Sequence, residues 1–292
     1  MIKVNDQAQG DNWTIYNADC VAVAEQLPDS CIDFSIYSPP FANLYIYSDS
    51  VADMGNCAND DEFFEQYSFL IREKLRITKQ GRLTAVHCMD LPTSKQTHGY
   101  IGRRDFSGRI INEHIDAGWI YHCRITIWKD PVVEMQRTKA LGLLHKQLKK
   151  DSCRSRAGNP DYLLVFYKPG ENGEPVQHTN QSFPVDQWQK WASPIWMDIQ
   201  QGDVLNKTSA REHSDERHIC PLQLEVIRRA VVMWSNEGDL VYSPFTGIGS
   251  EGFVSILQKR KFIGTELKQS YYEQAAANLS RAQSETWSLF DE

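Results

Sequence analysis

The run Ile32-Asp33-Phe34-Ser35-Ile36-Tyr37 closes on Ser38-Pro39-Pro40-Phe41, and the reading of these ten residues sets the rest of the chain. A β-branched and aromatic run of this length predicts a buried strand, and two consecutive prolines must end it. Neither proline carries an N–H, so carbonyls near the strand end are left free to accept from a ligand. A hydroxyl precedes the rigid turn and an aromatic face follows it. That combination suits a planar nucleobase bearing an exocyclic amine, which would donate to the carbonyl and Ser38 while stacking on Phe41. A plain Pro-Pro turn that merely closes a strand is the competing reading of the same four residues.

Upstream, Trp13-Thr14-Ile15-Tyr16-Asn17 alternates like a strand and leads to Asp19, and a short helix from Cys20 to Leu27 stops at Pro28-Asp29. Strand, helix and strand make a parallel crossover unit, whose ligand sites lie beyond the carboxyl ends of the strands. Asp19 and Ser38 therefore share one rim. Downstream, residues 42–59 read as an irregular loop over the site, with Tyr45 and Tyr47 in it. An amphipathic helix runs from Asp60 toward Lys79 with Phe63, Phe64, Tyr67, Leu70, Ile71 and Leu75 on one side, and Gly81 is read as its end. Leu83–His87 is the next strand, Ile110–Ile115 marks a helix ending at Gly118, and Trp119–Trp128 is a long strand. His87 and His114 are read as packing or surface residues.

The chain has 292 residues, 41% hydrophobic and 24% charged, enough for one large domain with a substantial core. Neither an apolar leader nor a membrane-spanning segment is expected from it. Cys20, Cys31, Cys57, Cys88, Cys123, Cys153 and Cys220 are scattered and never form C-x-x-C, so reduced thiols in a cytoplasm are expected, with no metal framework. The net charge of −7 conceals an uneven distribution. Between Arg137 and Arg156 the bases Arg137, Lys139, Lys146, Lys149, Lys150, Arg154 and Arg156 face a single acid, Asp151, so this window is +6 and the remainder −13. A solvated face is the bland account of such a cluster. Contact with a nucleic-acid backbone is the sharper one, and the aromatic-lined turn nearby favours it. The strand Tyr162–Tyr167 follows, so the basic insertion should hang from an antiparallel edge pair. Trp188, Trp191, Pro194 and Trp196 form an aromatic segment of little periodicity that straps onto the sheet.

The last third carries a second ligand turn. Pro221 is read as the first residue of a helix to Trp234, and Asp239–Ser243 is a strand running into Pro244-Phe245-Thr246-Gly247-Ile248-Gly249-Ser250-Glu251-Gly252. A helix follows, then the strand Phe262–Thr265 ending in Glu266. Glycines in such a turn let backbone approach a ligand, the helix N-terminus favours negative charge, and an acid on the next strand can accept from ribose hydroxyls. Gly247, Gly249 and Gly252 also satisfy G-x-G-x-x-G, so a nicotinamide-binding oxidoreductase has to be weighed. Too little chain follows Glu266 to complete such a domain. The remaining strands of the sheet must come from the half that contains Ser38.

Ser38-Pro39-Pro40-Phe41 resembles motif IV of the amino-methylating DNA methyltransferases, and Phe245, Gly247 and Gly249 resemble their motif I. Catalytic motif before cofactor motif is the permuted order of the β class. The resemblance implies an α/β fold: a doubly wound, mostly parallel seven-stranded Rossmann-like methyltransferase sheet with an antiparallel edge strand, circularly permuted. It divides the chain into a catalytic half over 1–128, an edge strand with DNA-contacting and target-recognition segments over 129–217, and a cofactor half over 218–292. It implies S-adenosylmethionine as cofactor, Ser38, Pro39, Pro40 and Phe41 as the catalytic turn, and double-stranded DNA as partner of the basic window. Cofactor contacts are implied for Asp19, Cys220, Pro221, Ser243, Phe245, Thr246, Gly247, Gly249, Ser250 and Glu266, with His218–Leu222 similar to motif X. The family usually has Asp where this chain has Ser243, so the contact at that position is left open. Ser and Phe in motif IV look more like the cytosine-N4 members than the adenine-N6 members, which are the alternative. A catalytically silent DNA-binding subunit and an RNA substrate are further readings. A homodimer and a companion restriction nuclease are compatible with the resemblance.

Overall fold

The computed structural model describes residues 4–41, 54–57, 59–93, 95–138, 141–205 and 221–288. The Tyr45 and Tyr47 loop, Lys139, His218 and Cys220 lie outside the described residues, as does the side chain of Arg137.

In chain order the elements are β1 (Asp6–Gln9), β2 (Trp13–Asn17), α1 (Cys20–Ala24), β3 (Ile32–Tyr37), α2 (Asp60–Ile77), β4 (Thr78–Cys88), β5 (Leu91–Pro92), α3 (Lys95–His98), β6 (Arg103–Arg104), α4 (Phe106–Asp116) and β7 (Ile120–Ile127). They continue as α5 (Pro131–Thr138), α6 (His145–Lys150), β8 (Asp161–Tyr167), α7 (Val185–Trp191), β9 (Ile195–Trp196), α8 (Leu224–Trp234), β10 (Leu240–Ser243), α9 (Ser250–Leu257), β11 (Lys261–Glu266) and α10 (Gln269–Ser288). Nine strands form one sheet in the order β1-β2-β11-β10-β3-β4-β8-β7-β9. From β2 through β4 every pairing is parallel. β8 runs antiparallel between β4 and β7, so the antiparallel pair flanking the basic insertion forms, with the reversed strand one place in from β7. The short strands β1 and β9 extend the two edges of this seven-stranded sheet.

Every residue of β3 is buried, which is why its sequence reads as a continuous apolar run without alternation. Neighbouring residues on a strand point to opposite faces. Val241, Ala85 and Leu163 accordingly join the core under α8, α9 and α10, while Tyr242, Val86 and Leu164 join the core under α1, α2 and α4.

Two boundaries differ from the sequence expectation. Gly81 does not end α2; the helix stops at Ile77, and Gly81 sits inside β4 with φ +67. On β3 Ile32 pairs with Thr78 and Phe34 with Leu83, so the extra β4 residues bulge out, and glycine supplies the left-handed backbone the bulge requires. A Cβ there would meet Asn172 at 2.7 Å. Likewise α8 begins at Leu224, and Pro221 lies before it. Asp203 accepts from the free N–H groups of this helix start, Leu224 N at 2.9 Å and Glu225 N at 3.2 Å, and so sets where the helix begins. The strapping segment proves to be α7 and β9. Trp191 and Trp196 are buried, with Trp196 Nε1 donating to the Trp191 carbonyl at 3.0 Å, while Trp188 stays exposed.

Candidate active site

β3 and β10 are parallel neighbours with Tyr242 opposite Ser35, so the proline turn after Tyr37 and the glycine turn after Ser243 leave the same rim side by side. The Tyr37 and Phe245 rings, one behind each turn, have centroids 5.9 Å apart. The proline turn is firmly backed: Tyr37 Oη lies 2.6 Å from Tyr67 Oη, and the Lys74 ammonium sits 3.8 Å over the Tyr37 ring. Among the described residues no donor meets the carbonyls of Ser38, Pro39 or Pro40. Phe41 is half-buried, its ring meeting Phe106 edge-on at 6.2 Å.

Three side chains to which the sequence reading gave no part in the site stand behind Ser38. His87, at the end of β4, places Nδ1 2.8 Å from Ser38 Oγ. Its Nε2 lies 3.4 Å from Asp161 Oδ2 at the first residue of β8, and Lys129 pairs with the other Asp161 oxygen. Of the two readings, packing or surface, the structure places His87 in the buried interior, in contact with Ser38. Its position at the carboxyl end of a strand, on the same rim as Ser38, was the signal that could have marked it. His114 does belong to the core: it stacks on Phe166 at 4.2 Å, and burial first, then the nearby Lys74 charge, lower its pKa to about 3.

In the glycine turn, Gly247 has φ +53 and Gly249 φ +91. A Cβ on Gly247 would meet nothing within 4 Å among the described residues, whereas one on Gly249 would sit 2.7 Å from Leu279. The first glycine faces open space and the second lets α10 pack closely. Glu266 Oε2 accepts from Gly247 N at 2.8 Å and Oε1 from Lys268 N at 2.9 Å, so its carboxylate is oriented against the turn. On the adjacent β2, Asn17 Nδ2 donates to the Glu266 carbonyl at 2.9 Å, which draws the start of α1 toward Glu266. There Asp19 caps α1, with Oδ1 accepting from Ala22 N at 2.8 Å. Ser243 and Ser250 hydroxyls are buried without a partner among the described residues. Thr246 has a structural duty, its N–H bonding Thr265 O at 2.9 Å and its hydroxyl Ser243 O at 3.2 Å.

The basic insertion rises from this same rim, because Ile127 at the end of β7 pairs with Asp161 at the start of β8. Lys146, Lys149, Lys150 and Arg154 are exposed. Arg156 turns inward, its guanidinium 3.2 Å from the buried Glu134 carboxylate.

A mixed sheet of this order, with the proline and glycine turns on adjacent parallel strands, is the α/β methyltransferase fold. The fold matches the solved PvuII DNA methyltransferase (cytosine-N4-specific) with TM-score 0.67 over 98% of this chain and 97% of that one, at 14% identity. A family model described as DNA methylase matches residues 32–277, and the chain belongs to that family, whose members take their methyl group from S-adenosylmethionine. It is 43% identical to the orphan methyltransferase M.BamHII of Bacillus amyloliquefaciens, over 87% of this chain and 91% of that protein. It is 23% identical to the DNA adenine methyltransferase YhdJ of Escherichia coli (strain K12), over 92% and 83%. At 24% identity over 88% of its own length, the chain spans only 55% of the type II methyltransferase M.BamHI of Bacillus amyloliquefaciens.

Proposed function

We propose that the chain methylates the exocyclic amine of a base flipped out of double-stranded DNA, with cytosine N4 as the target atom. The observation that carries this is the placement of the Ser38–Phe41 turn beside the Gly247–Gly249 turn on adjacent parallel strands. S-adenosylmethionine supplies an electrophilic methyl group when bound. The residues at the glycine turn fit a nucleoside cofactor: a Gly247 backbone open among the described residues, two buried serine hydroxyls with no partner among them, and carboxylates at Asp19 and Glu266 on neighbouring strand ends. Glu266 and Asp19 hold ribose and the adenine end, and Ser243, Phe245, Gly247, Gly249 and Ser250 line the approach. Pro221 borders the methionine end. Thr246 acts indirectly by pinning the turn to β11.

On the substrate side, Ser38 and the proline-turn carbonyls, which meet no donor among the described residues, accept the amine's hydrogens, and Phe41 offers a face for the base. Holding both hydrogens keeps electron density on nitrogen and fixes its angle of attack. The segment 129–217 contacts DNA through the exposed lysines of α6 and Arg154, between a catalytic half over 1–128 and a cofactor half over 218–292. Serine as the first residue of the turn and phenylalanine as the fourth support cytosine over adenine.

The test is incubation with S-adenosylmethionine and unmodified mixed-sequence DNA, followed by mass spectrometry of the released nucleosides. N4-methylcytosine is the expected product. N6-methyladenine would keep the reaction and change the base, and no methylated nucleoside at all would remove the assignment.

A further inference from the structure

Amino methylation leaves a proton to be disposed of. The attacking nitrogen becomes positively charged, and the site must take up one of its hydrogens. Ser38 alone cannot, because a hydroxyl that accepts a proton must release its own. The group behind it is His87, with Nδ1 2.8 Å from Ser38 Oγ. His87 is 7% exposed and Asp161 4%, so solvent does not satisfy either one. A neutral imidazole offers one N–H and one lone pair. Nε2 lies 3.4 Å from the Asp161 carboxylate, an electrostatic contact without hydrogen-bond geometry, and a negative charge on that side favours the proton on Nε2 with Nδ1 as acceptor. Ser38 then donates to His87 and turns its remaining lone pair outward.

Burial alone would raise the Asp161 carboxyl, but the His87 ring and the Lys129 ammonium hold it below its ordinary value. Asp161 and Lys129 form an ion pair beside the ring. Asp90, two residues beyond β4, is turned toward Ser107 N at 3.2 Å.

The geometry points to a proton route in which His87, held by Asp161, sets Ser38 as acceptor for the target amine and takes up through it the proton the amine sheds. The inference rests on the amino-methylation reading above. As nitrogen gains positive charge, an N–H bond to Ser38 Oγ lengthens and breaks. Oγ gains that proton while its own passes to Nδ1, leaving a neutral methylated amine and an imidazolium beside Asp161. Solvent removes the proton after product leaves. His87 is thus a positioning residue that acts through Ser38.

The test uses single-turnover methyl transfer with labelled S-adenosylmethionine and unmodified mixed-sequence DNA across the neutral pH range, with calorimetric cofactor binding in parallel. His87→Asn retains an acceptor oxygen near the place of Nδ1 but cannot hold a proton. It is expected to slow transfer by roughly 10²-fold, the lower end for acid–base assistance, with cofactor binding unchanged and the acid-side fall in rate gone. Asp161→Asn removes the negative charge beside the ring, so the acid arm moves to lower pH. Transfer by His87→Asn at the wild-type rate, with the wild-type pH profile, overturns the route. If that variant fails to bind cofactor, an unmoved acid arm in Asp161→Asn overturns it instead. Wild-type protein that methylates no DNA would sink the underlying reading as well.

Discussion

Phe41 meets Phe106 edge-on and keeps part of its ring exposed above the core. An aromatic so placed can take a base on its open face without losing its anchor, and base–aromatic stacking is worth about 1–3 kcal/mol. Phe41→Ala should therefore lower methyl transfer by roughly ten- to a hundredfold in single-turnover assays, at about 1.4 kcal/mol per decade. Cofactor binding should be left intact, because the glycine turn belongs to β10 and β11. Equal loss of both in a binding titration would mean that the base is held elsewhere. Serine, proline and aromatic were legible in the chain as a turn with free acceptors. The partners of Ser38 were not, because His87 and Asp161 lie on other strands and carry no local pattern.

α9 opens on the glycine turn and carries Glu251 with only 4% of its surface exposed. Burial raises its carboxyl pKa from 4.5 to about 8, against a lowering by its own backbone N–H, and the Glu266 charge raises it further. The folded protein therefore holds a proton at Glu251 that the unfolded chain has released. Its contribution to stability is full below 4.5 and is lost as pH rises through about 8. Glu251→Gln keeps the shape without the charge. Urea unfolding below and above this window should show wild type losing stability relative to the variant, by on the order of a few kcal/mol. An equal pH response in both would place the carboxyl in contact with solvent. Most elements could be read from period and punctuation, since burial on one or both faces leaves its mark residue by residue. Gly81 and Pro221 misled because a bulge and a later helix start depend on Asn172, β3 and Asp203, all remote in sequence.

Across the molecule, negative charge dominates and the basic insertion stands at the rim that carries both ligand turns. Phosphate contacts release counterions, so affinity for DNA should fall steeply with salt. Replacing Lys146, Lys149 and Lys150 together by alanine should weaken binding without sequence preference. The slope of log affinity against log salt should shrink by about 0.9 for each lysine that met a phosphate. Cofactor affinity serves as the control and should not change. A slope equal to that of wild type would assign the cluster to a solvated face. Arg156 is outside this set, since Glu134 already holds it.

The amino-acid sequence by itself determined the seven longer strands of the sheet, the proline and glycine turns and their permuted order. These depend on residues adjacent in the chain: β-branched runs, a missing N–H at proline, a missing Cβ at glycine. From these the methyltransferase class followed. Only the tertiary structure decided that β3 lies beside β10, that His87 and Asp161 stand behind Ser38, and which of the basic residues face outward. Such contacts join residues dozens of positions apart. They are set by strand order and register, which the packing of whole helices against both faces of the sheet selects.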